Sequence, residues 1–114
     1  MIIRLDEHAG PLFEQIAAAI RRAIAAGTLK PGDGLPPARA LAASLSINMH
    51  TVLRAFGVLR DEGLISLRRR QGAIVLPAAS RHVALATLAN EFIASAKDKG
   101  YSPHEIRRSL ETVL

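Results

Sequence analysis

Cysteine is absent from this chain, which excludes a disulfide framework, and nothing points to secretion. Aromatic residues are scarce, at 4%, while hydrophobic residues reach 49%, so any packed core must be aliphatic, built from Leu, Ile, Val and Ala. No stretch approaches the roughly 18 consecutive apolar residues that a membrane span requires. The N-terminal Met1-Ile-Ile-Arg-Leu-Asp6 lacks a basic region followed by a long apolar run, so no secretory leader is expected and a cytoplasmic location is. Internal repeats and low-complexity tracts are also missing. At 114 residues the expectation is one domain with a small appendage.

What the chain does have is an uneven surplus of positive charge. Fifteen Lys and Arg against ten Asp and Glu give a formal charge of +5, and the sequence pI is about 10.7. Ten of the basic and six of the acidic residues fall within residues 1–80, so an anionic partner is expected to meet that part of the chain.

The stretch Leu35 to Phe56 organises that part. It reads as two short helices joined by a tight turn, the first over about Ala38–Ser44 and the second from near Met49 to about Glu62, with the turn around Leu45 to Asn48. On the second helix Val52, Ala55, Phe56 and Leu59 recur at i, i+3, i+4 and i+7 and share one face. His50, Arg54, Gly57 and Asp61 project from the opposite face at roughly 100° per residue. One face can be core while the other reads something outside. With Asn48 and Thr51 at its start and Arg54 one turn further in, such a helix suits the major groove of DNA.

The flanking segments fit that centre. Ile2 to Leu5 reads as a short strand or an extended arm. Gly10-Pro11 opens a first long helix, with Pro11 suited to the first helical position. Its apolar stripe is Leu12, Phe13, Ile16, Ile20, Ala23 and Ile24, and Gly27 ends it. Lys30 to Pro37 is dense in turn residues and reads as a loop. Asn48 is a suitable cap for the second helix of the motif, and Gly63 a C-terminal stop. Asp61-Glu62 reads as a solvated helix end that would repel phosphate. Leu64–Leu67 and Ala73–Leu76 are short apolar runs on either side of Arg68-Arg-Arg-Gln-Gly72, a hairpin with a basic tip in which Gly72 permits a tight backbone. Three helices followed by a two-stranded hairpin is the winged helix-turn-helix pattern.

Pro77 to Ser80 is a break in composition. Beyond it Leu85, Leu88, Ala89, Phe92 and Ala96 lie at helical spacing, Gly100 closes that helix, and Ser102-Pro-His-Glu105 matches a capping box. Ile106, Leu110 and Val113 form the stripe of a last short helix. About 35 residues are too few to bury two apolar stripes as an independent domain, so these stripes are expected to pack on the first helix or on a second subunit.

Enzymatic and metal-binding readings find no support in the residues. His8, His50, His82 and His104 are far apart and show no ligand spacing. Gly32-Asp-Gly34 is a turn and not a phosphate-binding loop. No serine has a reason to pair with a histidine and an acid. No catalytic residue, metal site or cofactor is expected.

Ordered residues over 10–76 resemble those of the GntR-family transcriptional regulators. They are Pro11-Leu-Phe-Glu-Gln-Ile16, Gly27-Thr-Leu-Lys-Pro-Gly-Asp33, Leu35-Pro36, Arg39, Leu41-Ala42, Leu45, Thr51-Val52, Arg54-Ala55, Leu59, Glu62-Gly-Leu-Ile65 and Gly72. The short two-helix tail and Met49-His-Thr-Val-Leu-Arg-Ala55 resemble the YtrA-like short-tailed subfamily, which lacks a large effector domain and uses its tail to dimerise. The resemblance implies that Arg39 contacts the DNA backbone or a base, that Asn48 to Thr51 begin the recognition helix, and that the hairpin tip enters the minor groove. Three departures from the family pattern matter. Pro37-Ala38 stands for the usual Ser-Glu, Leu53 stands where many relatives carry an arginine, and Arg70 replaces the first glycine of the wing tip.

Together these readings predict a mainly α fold with a small β-hairpin. Residues 1–77 would form a winged helix-turn-helix domain, with the motif at about 37–56 and the wing at about 64–76, and residues 81–114 a two-helix dimerisation tail. The expected function is a sequence-specific DNA-binding regulator, a repressor that binds a palindromic operator as a homodimer. Its DNA contacts would come from Arg39, Asn48, Met49, His50, Thr51 and Arg54, and from Arg68, Arg69, Arg70, Gln71 and Gly72 of the wing. Its dimer contacts would come from Leu85, Leu88, Phe92, Ile106 and Leu110. The expected partners are double-stranded DNA and a second copy, with no membrane, and any small-molecule effector is left open. The alternative is a protein-interaction adaptor on the same scaffold, with only non-specific affinity for DNA.

Overall fold

Helix α1 (Leu12–Ala25) carries the stripe around which residues up to Val83 pack. Ile16, Ala17, Ile20 and Ile24 are fully buried, one turn after another along one side. The computed structural model describes residues 2–114. Pro11 lies one place earlier than expected. Its ψ of 136° is extended, so it caps α1 and Leu12 is the first helical residue. The segment Ile2–Leu5 pairs with no strand and is an extended arm, with Ile3 and Leu5 half-buried against the core. Gln15 anchors the end of this arm. Its amide donates to the carbonyls of Asp6 (2.6 Å) and Gly10 (2.9 Å) and accepts from the Asp6 N–H (2.9 Å).

Helices α2 (Ala38–Leu45) and α3 (Met49–Asp61) form the helix-turn-helix, and both pack into the α1 core. The turn between them is tight because Ser46 adopts left-handed dihedrals (φ 55°, ψ 45°) and the Ile47 N–H returns to the Ala42 carbonyl at 3.0 Å. Val52, Ala55, Phe56 and Leu59 are the buried residues of α3, as its periodicity requires. Strands β1 (Ile65–Arg68) and β2 (Gly72–Val75) form an antiparallel hairpin in which Ile65 pairs with Val75 and Arg68 with Gly72.

The segment before α2 is not a free loop. Gly32 N–H donates to the Val75 carbonyl (2.8 Å), Val75 N–H to the Asp33 carbonyl (2.9 Å) and Leu35 N–H to the Ala73 carbonyl (2.8 Å). Residues 32–35 therefore run along the second edge of β2, because the backbone groups there need partners once Ala73 and Val75 are buried.

Glu62, expected to be a solvated helix end, is half-buried instead. It accepts from Arg21 of α1, with Nε at 2.6 Å and 3.0 Å from its two carboxylate oxygens. Helix α4 (Ala79–Asp98) begins at the break in composition, and its first turn still belongs to the larger unit, with Ala79 and Val83 buried.

Residues Ala84–Leu114 make a second compact unit, formed by the rest of α4 and by α5 (Pro103–Val113). The bend between these helices closes on a Tyr101 N–H to Ala96 carbonyl bond of 3.1 Å. The capping box expected at the start of α5 is present. Glu105 N–H donates to the Ser102 hydroxyl (3.2 Å), and Ser102 N–H donates to the Glu105 carboxylate (3.1 Å).

Gly63 stops α3 at φ +80°, and its carbonyl accepts from His82 Nδ1 at 3.1 Å. A Cβ at this position would lie 2.8 Å from the same nitrogen. Gly63→Ala is therefore expected to cost about 1–2 kcal/mol and to lower the melting temperature by several degrees in thermal denaturation. The cost should be smaller in a His82→Ala background, where the crowding is gone and only the dihedral penalty remains.

Candidate nucleic-acid interface

The start of α3 is built by Asn48. Its side-chain oxygen accepts from the His50 N–H at 2.8 Å, which leaves the amide NH2 free to donate outward. His50 and Arg54 are exposed on the face opposite the core stripe. Met49 and Thr51 are half-buried, Met49 against the core, so each offers only part of its side chain. Arg39 stands exposed in the first turn of α2. That helix has Pro37 at its cap position and no side-chain cap, as the Pro37-Ala38 departure implies, so its first-turn N–H groups lack a side-chain partner.

Arg54 does not hang free. Its guanidinium carbon lies 3.8 Å from the centroid of the Phe13 ring on α1. An open groove of about 430 Å³ runs beside this stack, lined by Leu12, Phe13, Asn48, His50, Thr51 and Arg54. The sequence places Phe13 in the core stripe and misses its outward role. The available signal was an aromatic at the very start of the stripe, in a chain with only three phenylalanines.

The wing turns sharply. Arg69, Arg70 and Gln71 connect the strands, and the Gln71 N–H donates to the Arg68 carbonyl at 3.2 Å. Arg70 sits at φ +72° and Gly72 at φ +73°. Arg70 thus holds a left-handed backbone, the conformation for which a glycine is suited, at a cost of about 1–2 kcal/mol. Arg68, Arg69, Arg70, Gln71 and Gly72 are all exposed. Between α3, the wing and the start of α2 lies a shallow groove of about 300 Å³, in which Leu53 and Leu67 show their side chains beside Arg68 and Arg69. These three elements therefore form one continuous surface.

Charge on this surface is one-sided. Among the described residues the ion pairs are Arg21–Glu62 and Arg60–Asp61, so the two acids at the end of α3 each have a cation of their own. Arg39, Arg54, Arg68, Arg69 and Arg70 form no ion pair and are left to attract an anion. No three His, Cys, Asp or Glu side chains among the described residues come close enough to hold a metal ion.

In the second unit Leu85 and Leu88 are 69% and 64% exposed, and Phe92 and Leu110 are exposed as well. Ile106, by contrast, is only 7% exposed and is the buried residue of α5.

Comparison with known proteins agrees with this geometry. Residues 12–75 match the model of the bacterial regulatory proteins, gntR family. The HTH-type transcriptional regulator Rv1152 of Mycobacterium tuberculosis is 32% identical over 112 residues, which cover 97% of this chain and 93% of that protein. The HTH-type transcriptional repressor YtrA of Bacillus subtilis is 35% identical over 75 residues, 65% of this chain and 58% of that protein. Among solved structures, YtrA from Sulfolobus acidocaldarius, a GntR-family transcription factor, aligns with a TM-score of 0.64 at 37% identity, over 82% of this chain and 99% of that one. With residues 12–75 matching the family model and a relative 32% identical along nearly its whole length, the chain belongs to the GntR family and is a DNA-binding transcriptional regulator.

Proposed function

We propose that this regulator is a repressor that binds a palindromic operator as a homodimer, in the cytoplasm. The observation that carries the reading is the outward face of α3, on which His50 and Arg54 stand clear of the core and continuous with an uncompensated arginine wing. Helix α3 would enter the major groove. There Arg54 is suited to bidentate readout of guanine O6 and N7, and the free Asn48 amide to a phosphate or base acceptor. Arg39 and the open N-terminus of α2 would meet a phosphate. Arg68, Arg69 and Arg70, with Gln71, would lie along the flanking minor groove or its phosphates. Thr51 and Met49 would contribute through the parts of their side chains that remain exposed.

The dimer is argued from the second unit. Leu85, Leu88, Phe92 and Leu110 are large, apolar and exposed, and a second copy of the same face is the simplest cover for them. Two-fold symmetry would place the recognition helices about 34–36 Å apart if one turn of DNA separates the half-sites. The repressor sense draws on the printed role of the Bacillus subtilis relative. The described residues contain no helix long and apolar enough to cross a membrane.

Three outcomes test this. Arg54→Ala should weaken binding to DNA from upstream of its own gene by at least about thirtyfold, since a dimer loses two contacts of about 1–3 kcal/mol each, while leaving binding to unrelated DNA nearly unchanged, as read by gel-shift titration. Removing Arg68 and Arg69 together should weaken binding to all DNA and reduce the slope of log affinity against log salt by about 2 per subunit. Leu88→Asp should convert the dimer to monomer in analytical ultracentrifugation and should lower operator affinity with it. Binding by the unaltered protein that is equal on every DNA and collapses with salt would overturn sequence-specific repression and favour the adaptor reading.

A further inference from the structure

Arg54 carries a charge that no carboxylate holds. The ion pairs among the described residues involve Arg21 and Arg60, not Arg54. What the guanidinium does touch is the Phe13 ring, 3.8 Å from its centroid. Phe13 belongs to the first turn of α1 and is only half-buried, so the contact is made at the surface, at the edge of the groove that Asn48, His50 and Thr51 also line.

The geometry of the two planar groups gives this contact a consequence. An aromatic ring attracts a guanidinium through its face, where the ring quadrupole is negative. The five N–H donors of the guanidinium point along its edges and lie in its own plane. With its carbon 3.8 Å from the ring centroid, and none of its N–H groups in a hydrogen bond or ion pair among the described residues, the Arg54 guanidinium is held by the ring while its donors stay unoccupied. A carboxylate partner would act in the opposite way, occupying the same N–H pair that guanine O6 and N7 would need, and it would have to be displaced on binding. The ring also limits the conformations of a long, flexible side chain before DNA arrives, which lowers the entropy lost on forming the base contact.

We propose that Phe13 is a positioning residue for base readout, holding the Arg54 guanidinium on the outer face of α3 with its donor edge turned free. Phe13 touches no base itself. The proposal rests on the reading of α3 as the recognition helix. It assigns to the first helix of the domain a share in sequence specificity through a side chain that otherwise belongs to the apolar stripe.

The test uses full-length protein and a DNA fragment enriched by that protein from a random-sequence pool, with an unrelated fragment of equal length as control. Phe13→Leu keeps an apolar residue against the core and removes the ring face. Phe13→Tyr keeps the ring. Affinities are measured for both variants, for Arg54→Ala and for the Phe13→Leu/Arg54→Ala double variant, and thermal denaturation confirms that each is folded. Phe13→Leu is expected to lower affinity for the enriched fragment by about threefold per half-site, and so about tenfold for a dimer on two half-sites. Its affinity for the unrelated fragment and its salt slope should stay unchanged. Phe13→Tyr should bind as the unaltered protein does, and Phe13→Leu should add no further loss once Arg54 is gone.

If Arg54→Ala weakens binding to the enriched fragment while Phe13→Leu does not, Arg54 reads DNA without the ring and the positioning role is overturned. A loss in Phe13→Leu that is equal on both fragments, or that adds fully to that of Arg54→Ala, makes Phe13 a structural residue and overturns it too. If Arg54→Ala binds the enriched fragment as the unaltered protein does, or no fragment is enriched at all, it is the base reading by α3 that fails, and the proposal with it.

Discussion

Burial of one face of α3 against α1 is the constraint from which the rest of the larger unit follows. Val52, Ala55, Phe56 and Leu59 meet the stripe of Ile16, Ile20 and Ile24, and each of the Val, Leu, Ile and Phe side chains among them, once fully buried, contributes about 1.5–3 kcal/mol. A helix has little freedom once its apolar face is committed. At roughly 100° per residue, burying those four side chains turns His50 and Arg54 away from the core. The geometry of the candidate interface is thus a by-product of packing. Leu64, Ile65, Ala73 and Val75 join the same core, and this fixes where the wing leaves the domain.

Electrostatics adds a second level of order. The winged unit carries acids, but the structure places two of them where they do not oppose an anion. Glu62 is drawn back to Arg21, with each side chain about one-fifth exposed, and Asp61 lies beside Arg60. Pairs this close to solvent add little to stability. Their effect lies in position, because they compensate negative charge at the end of α3, while Arg39, Arg54 and the arginines of the wing form no ion pair among the described residues. The wing itself carries backbone strain at Arg70, a left-handed residue with a long cationic side chain where a glycine would fit at no cost. Strain held at an exposed, positively charged turn fits a segment kept for binding rather than for stability.

The second unit shows a different economy. Its helices are locally well specified, by the closure at Tyr101 and by the capping box of Ser102 and Glu105, yet only Ile106 is buried within it. Local signals can define two helices without providing enough apolar contact to cover their faces. The exposed Leu85, Leu88, Phe92 and Leu110 are the remainder, and they are the reason a second copy enters the functional reading.

The sequence by itself determined what depends on neighbours a few residues away. Asn48 and Ser102 announce helix starts, Gly27 and Gly63 announce ends, and the spacing of Val52, Ala55, Phe56 and Leu59 identifies which face of α3 is buried. These are legible because capping and amphipathic burial act within one or two turns. The arginine-rich tip was legible as well, since two short apolar runs bracket it. Tertiary structure alone decided the pairings between distant segments. Arg21 and Glu62 are separated by 41 positions, residues 32–35 find the edge of β2, and Phe13 comes under Arg54. Nothing in the local pattern of either partner specifies the other. Which distant side chain arrives is set by how the aliphatic core draws the helices together, and that core carries no label for the polar and aromatic contacts that form around its rim.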